Sequence, residues 1–289
     1  MVQFILNPTA GKGRTLKVLD KLTDYLKVRS VEYAVHFTQR AGHATEIARK
    51  LSQVPSDLVV IGGDGTVSEV LNGIDRFENV ALGIIPCGTG NDFAASANLP
   101  VMEPKDAMEL ILSGTPRYTD FIQIGDKRSM NVAGMGIDVD VLERYNRRKV
   151  RTKFTYMQCL VSALVALKWM NFELEVDGVP LGHREAMIAS VANGKYFGGG
   201  MVISPNSQID DGKLDLVIVN KLPKSKMLGP LLGFKKGTLL KYDFVESIPC
   251  RSVKVVSDAK KVVNVDGELW NSPVFECKIV SDLLRMYRP

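Results

Sequence analysis

The unbroken apolar run Leu58-Val59-Val60-Ile61 leads straight into Gly62-Gly63-Asp64-Gly65-Thr66, and Val67, Val70, Leu71 and Ile74 follow at helical spacing. A short, wholly apolar run that stops at glycines fits a strand buried on both faces, and such strands belong to parallel sheets covered by helices. The surrounding sequence repeats the pattern. Phe4 to Leu6 reads as a strand, and Val18, Leu19, Leu22, Tyr25 and Leu26 share one helical face. Val31, Tyr33, Val35 and Phe37 alternate as in a strand, Ala44, Ile47, Ala48 and Leu51 return to helical spacing, and Ala81 to Ile85 is another buried strand. This βαβα succession predicts a doubly wound, mostly parallel α/β sheet over residues 1–120.

The pattern changes over residues 121–289. Phe172 to Val176, Leu214 to Val219, Val253 to Val256, Val262 to Val265 and Val274 to Val280 are strand-like and separated by Asp-Gly or Gly/Pro turns, which predicts a mostly antiparallel β domain. The last residues could return to the first domain. One segment departs from the pattern: Tyr156 to Trp169 is apolar over a helical length and reads as a core or cleft helix. A chain of 289 residues is long enough for two such cores.

Composition removes several classes of function. Apolar residues make up 45% and charged residues 24%, too apolar for disorder and too interrupted by charge for a membrane-spanning protein. Cys87, Cys159, Cys250 and Cys277 form no CxxC pair, and His36, His43 and His183 are dispersed, so the expectation is buried, reduced thiols and oxygen ligands for any metal. The N-terminal segment lacks a basic leader, which makes the cytoplasm the expected location. Residues 147–153 gather five basic side chains into seven positions. They read either as a solvated face or as a reversible contact with the anionic inner face of a membrane. No aromatic residues interleave with them, which argues against nucleic acid as a partner.

Three loops follow strands of the first half: Asn7-Pro8-Thr9-Ala10-Gly11-Lys12-Gly13, the Gly62 to Thr66 segment, and Pro86-Cys87-Gly88-Thr89-Gly90-Asn91-Asp92-Phe93. Strand-to-helix turns at the carboxyl end of an open sheet offer free helix amides and a favourable dipole to phosphate. Thr66 with Glu69 also fits a capping box, a purely structural reading of the central loop. Lys12 is followed by Gly13, so a Walker A loop is absent, and Asp64 stands where a dinucleotide phosphate would meet a like charge. With Mg²⁺ between them, Asp64 becomes a fitting partner for a triphosphate.

On these motifs the sequence resembles the diacylglycerol kinase catalytic family, which includes bacterial soluble lipid kinases, sphingosine kinases and ceramide kinases. The matching stretches are NPTAGKG from Asn7, GGDGTVSEVLNGI from Gly62, PCGTGNDFA from Pro86, NVAGMGID from Asn131, NGKYFGGGMVISPNSQIDDGKLDLVIV from Asn193 and VNVDGE from Val263. GGDGT alone also occurs in NAD kinases and phosphofructokinases. One departure is Ser68, where the family usually has Asn.

The resemblance implies an ATP-dependent lipid kinase with an NAD kinase-like fold, diacylglycerol being the commonest acceptor. It places ATP against Asn7, Pro8, Thr9, Ala10, Gly11, Thr38, Gly63, Asp64, Gly65, Thr66, Val67, Ser68, Glu69 and Thr89. A structural Mg²⁺ maps onto Gln208, Asp211 and Lys213, with Asp211 giving its carboxylate and the other two their main-chain carbonyls. Hard oxygen donors on the Asp210-Asp211-Gly212 turn suit that ion. Glu268, which alone would read as part of a hairpin, maps onto the general base. The alternatives are NAD kinase-like phosphorylation of a soluble substrate and a non-catalytic nucleotide-binding protein. A homodimer is the commonest assembly for such a chain.

Overall fold

The structure is a computed structural model that describes residues 1–101, 103–150, 152–257, 262–272 and 274–289. The chain divides into two compact units: Met1–Phe121 with Val280–Pro289, and Ile122–Ile279.

The first unit alternates strand and helix. Its elements are β1 (Val2–Leu6), α1 (Arg14–Val28), β2 (Tyr33–Phe37), α2 (His43–Leu51), β3 (Ser56–Gly62), α3 (Asp64–Gly73), β4 (Val80–Pro86), α4 (Asp92–Ser96) and α5 (Pro104–Ser113), and β5 (Arg117–Ile124) leads into the second unit. The strands lie in the order β4-β3-β1-β2 and all pairs are parallel, with Leu6 opposite both Phe37 and Ile61, and Ile61 opposite Ile85. The strands therefore end at the same edge, which fixes where their following loops emerge. The pleat sends Phe4, Leu6, Val59, Ile61 and Ile85 into one cluster with Leu22 and Leu26 of α1 and Met108 and Ile111 of α5. Ile5, Val60 and Leu71 are also fully buried. The final residues rejoin this sheet parallel to β4, Arg285 opposite Ala81, and the Tyr287 hydroxyl donates to Asp57 Oδ1 at 2.8 Å.

The second unit is antiparallel. Its elements are β6 (Lys127–Ser129), β7 (Val132–Gly136), α6 (Ile137–Asn146), α7 (Lys153–Val165), β8 (Met170–Val176), β9 (Val179–Ala192), β10 (Tyr196–Phe197), β11 (Met201–Val202), β12 (Leu214–Asn220), α8 (Leu228–Lys236), β13 (Val245–Cys250), β14 (Ser252–Ser257), β15 (Val262–Val265), β16 (Glu268–Asn271) and β17 (Phe275–Met286), the last of which carries the chain back to the first unit. Its long strand β9 pairs with β7, β8 and β12. Two of the tight connections are Asp-Gly turns. Asp177-Gly178 joins β8 to β9 and Asp266-Gly267 joins β15 to β16, with positive φ at all four residues, the conformation a two-residue hairpin turn requires.

Alternation along β12 serves two cores. Leu214, Leu216 and Ile218 join the cluster around Phe172, Val253 and Phe275, whereas Val217 and Val219 join the one beneath α6 and α7. The helix expected over residues 156–169 forms earlier, at Lys153–Val165, where Thr152 caps it by accepting the Thr155 N–H at 3.1 Å. Only one of its faces is core. Cys159, Leu160 and Ala163 are buried, while its other face stays exposed. Among the described residues no helix is long and apolar enough to cross a membrane.

Candidate active site

β3 runs into Gly63, which is extended, and α3 begins at Asp64. The capping box read from Thr66 and Glu69 does not form. Gly63 occupies the N-cap position without a side-chain cap, and Glu69 Oε2 instead accepts the Ala44 N–H of α2 at 3.1 Å. Thr45 Oγ1 completes the link by donating to the Glu69 carbonyl at 2.8 Å. Glu69 therefore caps the neighbouring helix and leaves the start of α3 uncapped. Thr66, Val67 and Ser68 turn their side chains inward, so Gly63, Asp64 and Gly65 form the accessible part of the segment.

The loop after β4 packs onto this turn, backbone against backbone. A Cβ on Gly63 would stand 2.8 Å from the Gly88 Cα, and one on Gly88 would stand 2.6 Å from the Gly63 Cα. Such contact leaves room for glycine alone at both positions. The Cys87 N–H donates to the Gly62 carbonyl at 2.7 Å, and Asn91 folds its own loop by accepting the Gly88 N–H at 2.8 Å. Asp64 reaches across as well: its Oδ1 accepts the Phe93 N–H at the start of α4, 3.2 Å away. Burial pushes the Cys87 thiol up, against the opposing charge of Arg14.

The loop after β1 is tied to the same place. Asn7 Oδ1 accepts both the Thr9 N–H and the Thr9 hydroxyl, at 3.0 and 2.9 Å, and the Thr15 hydroxyl donates to the Asn7 carbonyl at 2.9 Å. Pro8 and Ala10 are half-buried within that turn. Gly11, at φ +57°, leaves no space for a side chain, since its Cβ would sit 2.1 Å from the Cys87 carbonyl oxygen. Arg14 holds the two outer loops together, donating to the carbonyls of Gly11 at 3.2 Å and Gly88 at 3.1 Å. Sequence reasoning does not single out Arg14 or Asn91 as site residues. The nearest signal is position, Arg14 following the GKG turn and Asn91 lying inside GTGND. Thr38 directly follows β2 beside this group, its N–H donating to the Leu6 carbonyl at 2.9 Å, and Thr89 is exposed at the tip of the third loop. Asn7, Pro8, Thr9, Ala10, Gly11, Thr38, Gly63, Asp64, Gly65 and Thr89 thus lie at one edge of the first unit around the Arg14 guanidinium, an arrangement able to hold phosphate, whereas the side chains of Thr66, Val67 and Ser68 are turned inward and Glu69 is held by α2.

In the second unit, Gln208, Asp211 and Lys213 share one exposed turn. Asp211 Oδ1 accepts the Lys213 N–H at 3.0 Å across Gly212, which has φ +68°. Among the described residues no three His, Cys, Asp or Glu side chains gather as a metal cluster. Ser207 donates to Asp215 Oδ2 at 2.6 Å and braces the turn against β12.

Glu268 opens β16, exposed, immediately after the Asp266-Gly267 turn. That turn is anchored from both sides. Asn264 Oδ1 accepts the Gly267 N–H at 2.8 Å, and Asn264 Nδ2 donates to Asp138 Oδ2 at 3.0 Å. The Asp266 carboxylate accepts four donors: the Ser129 hydroxyl at 2.7 Å and the N–H groups of Met130, Asn131 and Val132 at 2.8, 3.1 and 3.0 Å. Burial pushes its carboxyl up to about 6, and the four donors, each favouring the charged form, limit that rise. Glu268 is therefore carried on a hairpin anchored by these hydrogen bonds.

Residues 1–124 match the family described as diacylglycerol kinase catalytic domain, and residues 131–288 match the YegS C-terminal NAD kinase beta sandwich-like domain. The chain is 30% identical over 298 residues to a diacylglycerol kinase of Mycobacterium tuberculosis, covering all of this chain and 95% of that one. A diacylglycerol kinase structure from Bacillus anthracis str. Sterne aligns over 100% of this chain and 96% of its own, with a TM-score of 0.81 and 25% identity. An NAD kinase of Archaeoglobus fulgidus in complex with ATP shares the fold, with a TM-score of 0.54 and 15% identity over 99% of this chain and 92% of its own. By sequence along its whole length and by fold, this chain belongs to the diacylglycerol kinase family.

Proposed function

We propose that the protein transfers the γ-phosphoryl group of ATP to a lipid hydroxyl, with diacylglycerol as acceptor and phosphatidic acid as product. The observation that carries this reading is the backbone contact of Gly63 with Gly88, which joins two glycine loops at one sheet edge where Asp64 and Arg14 add opposite fixed charges. Phosphoryl transfer asks a protein mainly for positioning and for charge stabilisation. Main-chain N–H groups of the Asn7–Gly11, Gly63–Gly65 and Gly88–Thr89 loops would hold the triphosphate, Arg14 would offset its charge, and Asp64 would orient it through a bound cation. Mg²⁺ carried with ATP would supply Lewis acidity at the phosphoryl oxygens. Glu268 would take the proton of the attacking hydroxyl.

A second Mg²⁺ at Gln208, Asp211 and Lys213 is part of the same reading. The donor set supports it: an exposed carboxylate on a tight turn, flanked by main-chain oxygens, suits an ion that keeps several waters. The relatives named for diacylglycerol favour a lipid acceptor over NAD. Reversible contact with an anionic membrane would bring such an acceptor to the enzyme. The lipid is identified by incubating the protein with Mg²⁺, γ-labelled ATP and, separately, diacylglycerol, phosphatidylglycerol, a sphingoid base and undecaprenol. Label should enter diacylglycerol fastest; preferential labelling of another lipid would replace the acceptor and keep the chemistry.

A further inference from the structure

Helix α7 is apolar on two opposite faces, and among the described residues only one of them is packed against protein. Cys159, Leu160 and Ala163 pack against Val141, Met187 and Ile188. On the other side Phe154, Met157, Val161 and Val165 are exposed by 72, 36, 47 and 80%. At about 100° per residue these four fall within an arc of about 80°, turned away from the buried face. A helix apolar all round is ordinarily buried all round, and a row of large exposed apolar side chains marks a surface that meets something else.

What it meets is indicated by the charge beside it. The end of α6 and the residue pair that follows bring Arg144, Arg147 and Arg148 around a cavity of about 240 Å³, floored by Cys159 and Ser162 of α7. Arg144 Nη1 donates to Ser162 Oγ at 2.9 Å, which fixes one guanidinium at the wall. No carboxylate is among the described residues lining the cavity. Guanidinium groups match phosphate oxygens with paired donors and are more weakly hydrated than lysine ammonium groups. Of the basic run at residues 147–153, Arg151 lies outside the described residues, as does the Lys153 side chain.

We infer that α7 lies in the surface of an anionic phospholipid bilayer, with Phe154, Met157, Val161 and Val165 entering the acyl boundary and the Arg144–Arg147–Arg148 cavity holding a lipid phosphate. An in-plane helix with an apolar face toward the acyl region and a cationic flank at the headgroups is bound in this way by apolar burial and charge together. The surface serves the lipid-kinase reading, on which its purpose rests, but it involves none of the nucleotide loops. Basic residues alone would give an attachment that salt screens away, whereas the stripe makes attachment depend on insertion.

The test is vesicle flotation without nucleotide, using phosphatidylcholine alone and phosphatidylcholine mixed with phosphatidylglycerol. The wild-type protein should float with the anionic vesicles only. F154S/V161S/V165S and R147A/R148A should each lower the bound fraction by at least about tenfold, with melting by circular dichroism unchanged. All four native cysteines are buried, so a V161C variant can be labelled selectively with an environment-sensitive dye. That dye should shift to the blue on anionic vesicles. Wild-type protein that stays unbound, or variants that float as well as wild type, would overturn the inference. So would calorimetry showing that millimolar inorganic phosphate occupies the arginine cavity while anionic vesicles do not bind. Phosphotransfer to lipid in detergent micelles separates the two readings: activity there without vesicle binding removes only the docking surface, and vesicle binding without transfer to any lipid removes only the kinase reading.

Discussion

The carboxylate of Asp64, first residue of α3, accepts the N–H of Phe93, second residue of α4, at 3.2 Å. One side chain thereby joins the glycine turn after β3 to the loop after β4 and holds a negative charge at the edge where the loops converge. Asp64→Asn keeps an acceptor for Phe93 but removes the charge. It should lower kcat/KM by about 10²–10³ through lost electrostatic organisation of the Mg²⁺-bound triphosphate, with a melting temperature close to wild type. Near-normal kcat/KM would leave Asp64 with a structural role only.

Gly88→Ala places a Cβ 2.6 Å from the Gly63 Cα, a backbone atom that can move only if the loop moves. The strain should cost about 1–3 kcal/mol in chemical denaturation. Displacing the loops by an ångström should also cost up to about 10²-fold in activity. A variant with wild-type stability and wild-type KM for ATP would show that the two loops need not touch.

Asp266→Ala removes the acceptor of four donors in a part-buried setting. Loss of about 2–4 kcal/mol is expected, because the main-chain N–H groups of Met130, Asn131 and Val132 are left without it. Urea denaturation checks the figure, and a change below about 0.5 kcal/mol would place Asp266 among ordinary surface substitutions.

Glu268→Gln is nearly isosteric on an exposed, anchored hairpin, so the fold should be unaffected. Turnover should fall by about 10²–10⁴, the usual contribution of a positioned base, while ATP binding by calorimetry stays at the wild-type value. Unchanged turnover would remove Glu268 from proton transfer.

Local pattern made much of this fold legible. The run Leu58 to Ile61 lies inside β3, the alternation from Tyr33 to Phe37 is β2, and Asp266-Gly267 is the hairpin turn its residues suggest. Family likeness, rather than spacing, points to Thr38 and Glu268. What escapes the sequence depends on partners far along the chain. Glu69 looks like the end of a capping box until Ala44, 25 positions away, is found at its carboxylate. Arg14 belongs to no motif in the sequence, yet its guanidinium holds the Gly88 carbonyl, 74 positions on. Asp266 reads as a turn residue, yet it gathers donors from residues 129–132, up to 137 positions distant. Periodicity carries burial and direction but not which distant donor meets which acceptor. The exposed face of α7 escapes for a related reason: an apolar helix reads as core whether or not anything covers its second side.

The most direct measurement offers diacylglycerol in micelles and NAD in the same tube, with Mg²⁺ and γ-labelled ATP, and separates organic from aqueous products. Label should appear in phosphatidic acid, abolished by chelation and reduced by Glu268→Gln in proportion to its loss of turnover. Label appearing in NADP with none in the lipid phase would contradict a lipid kinase.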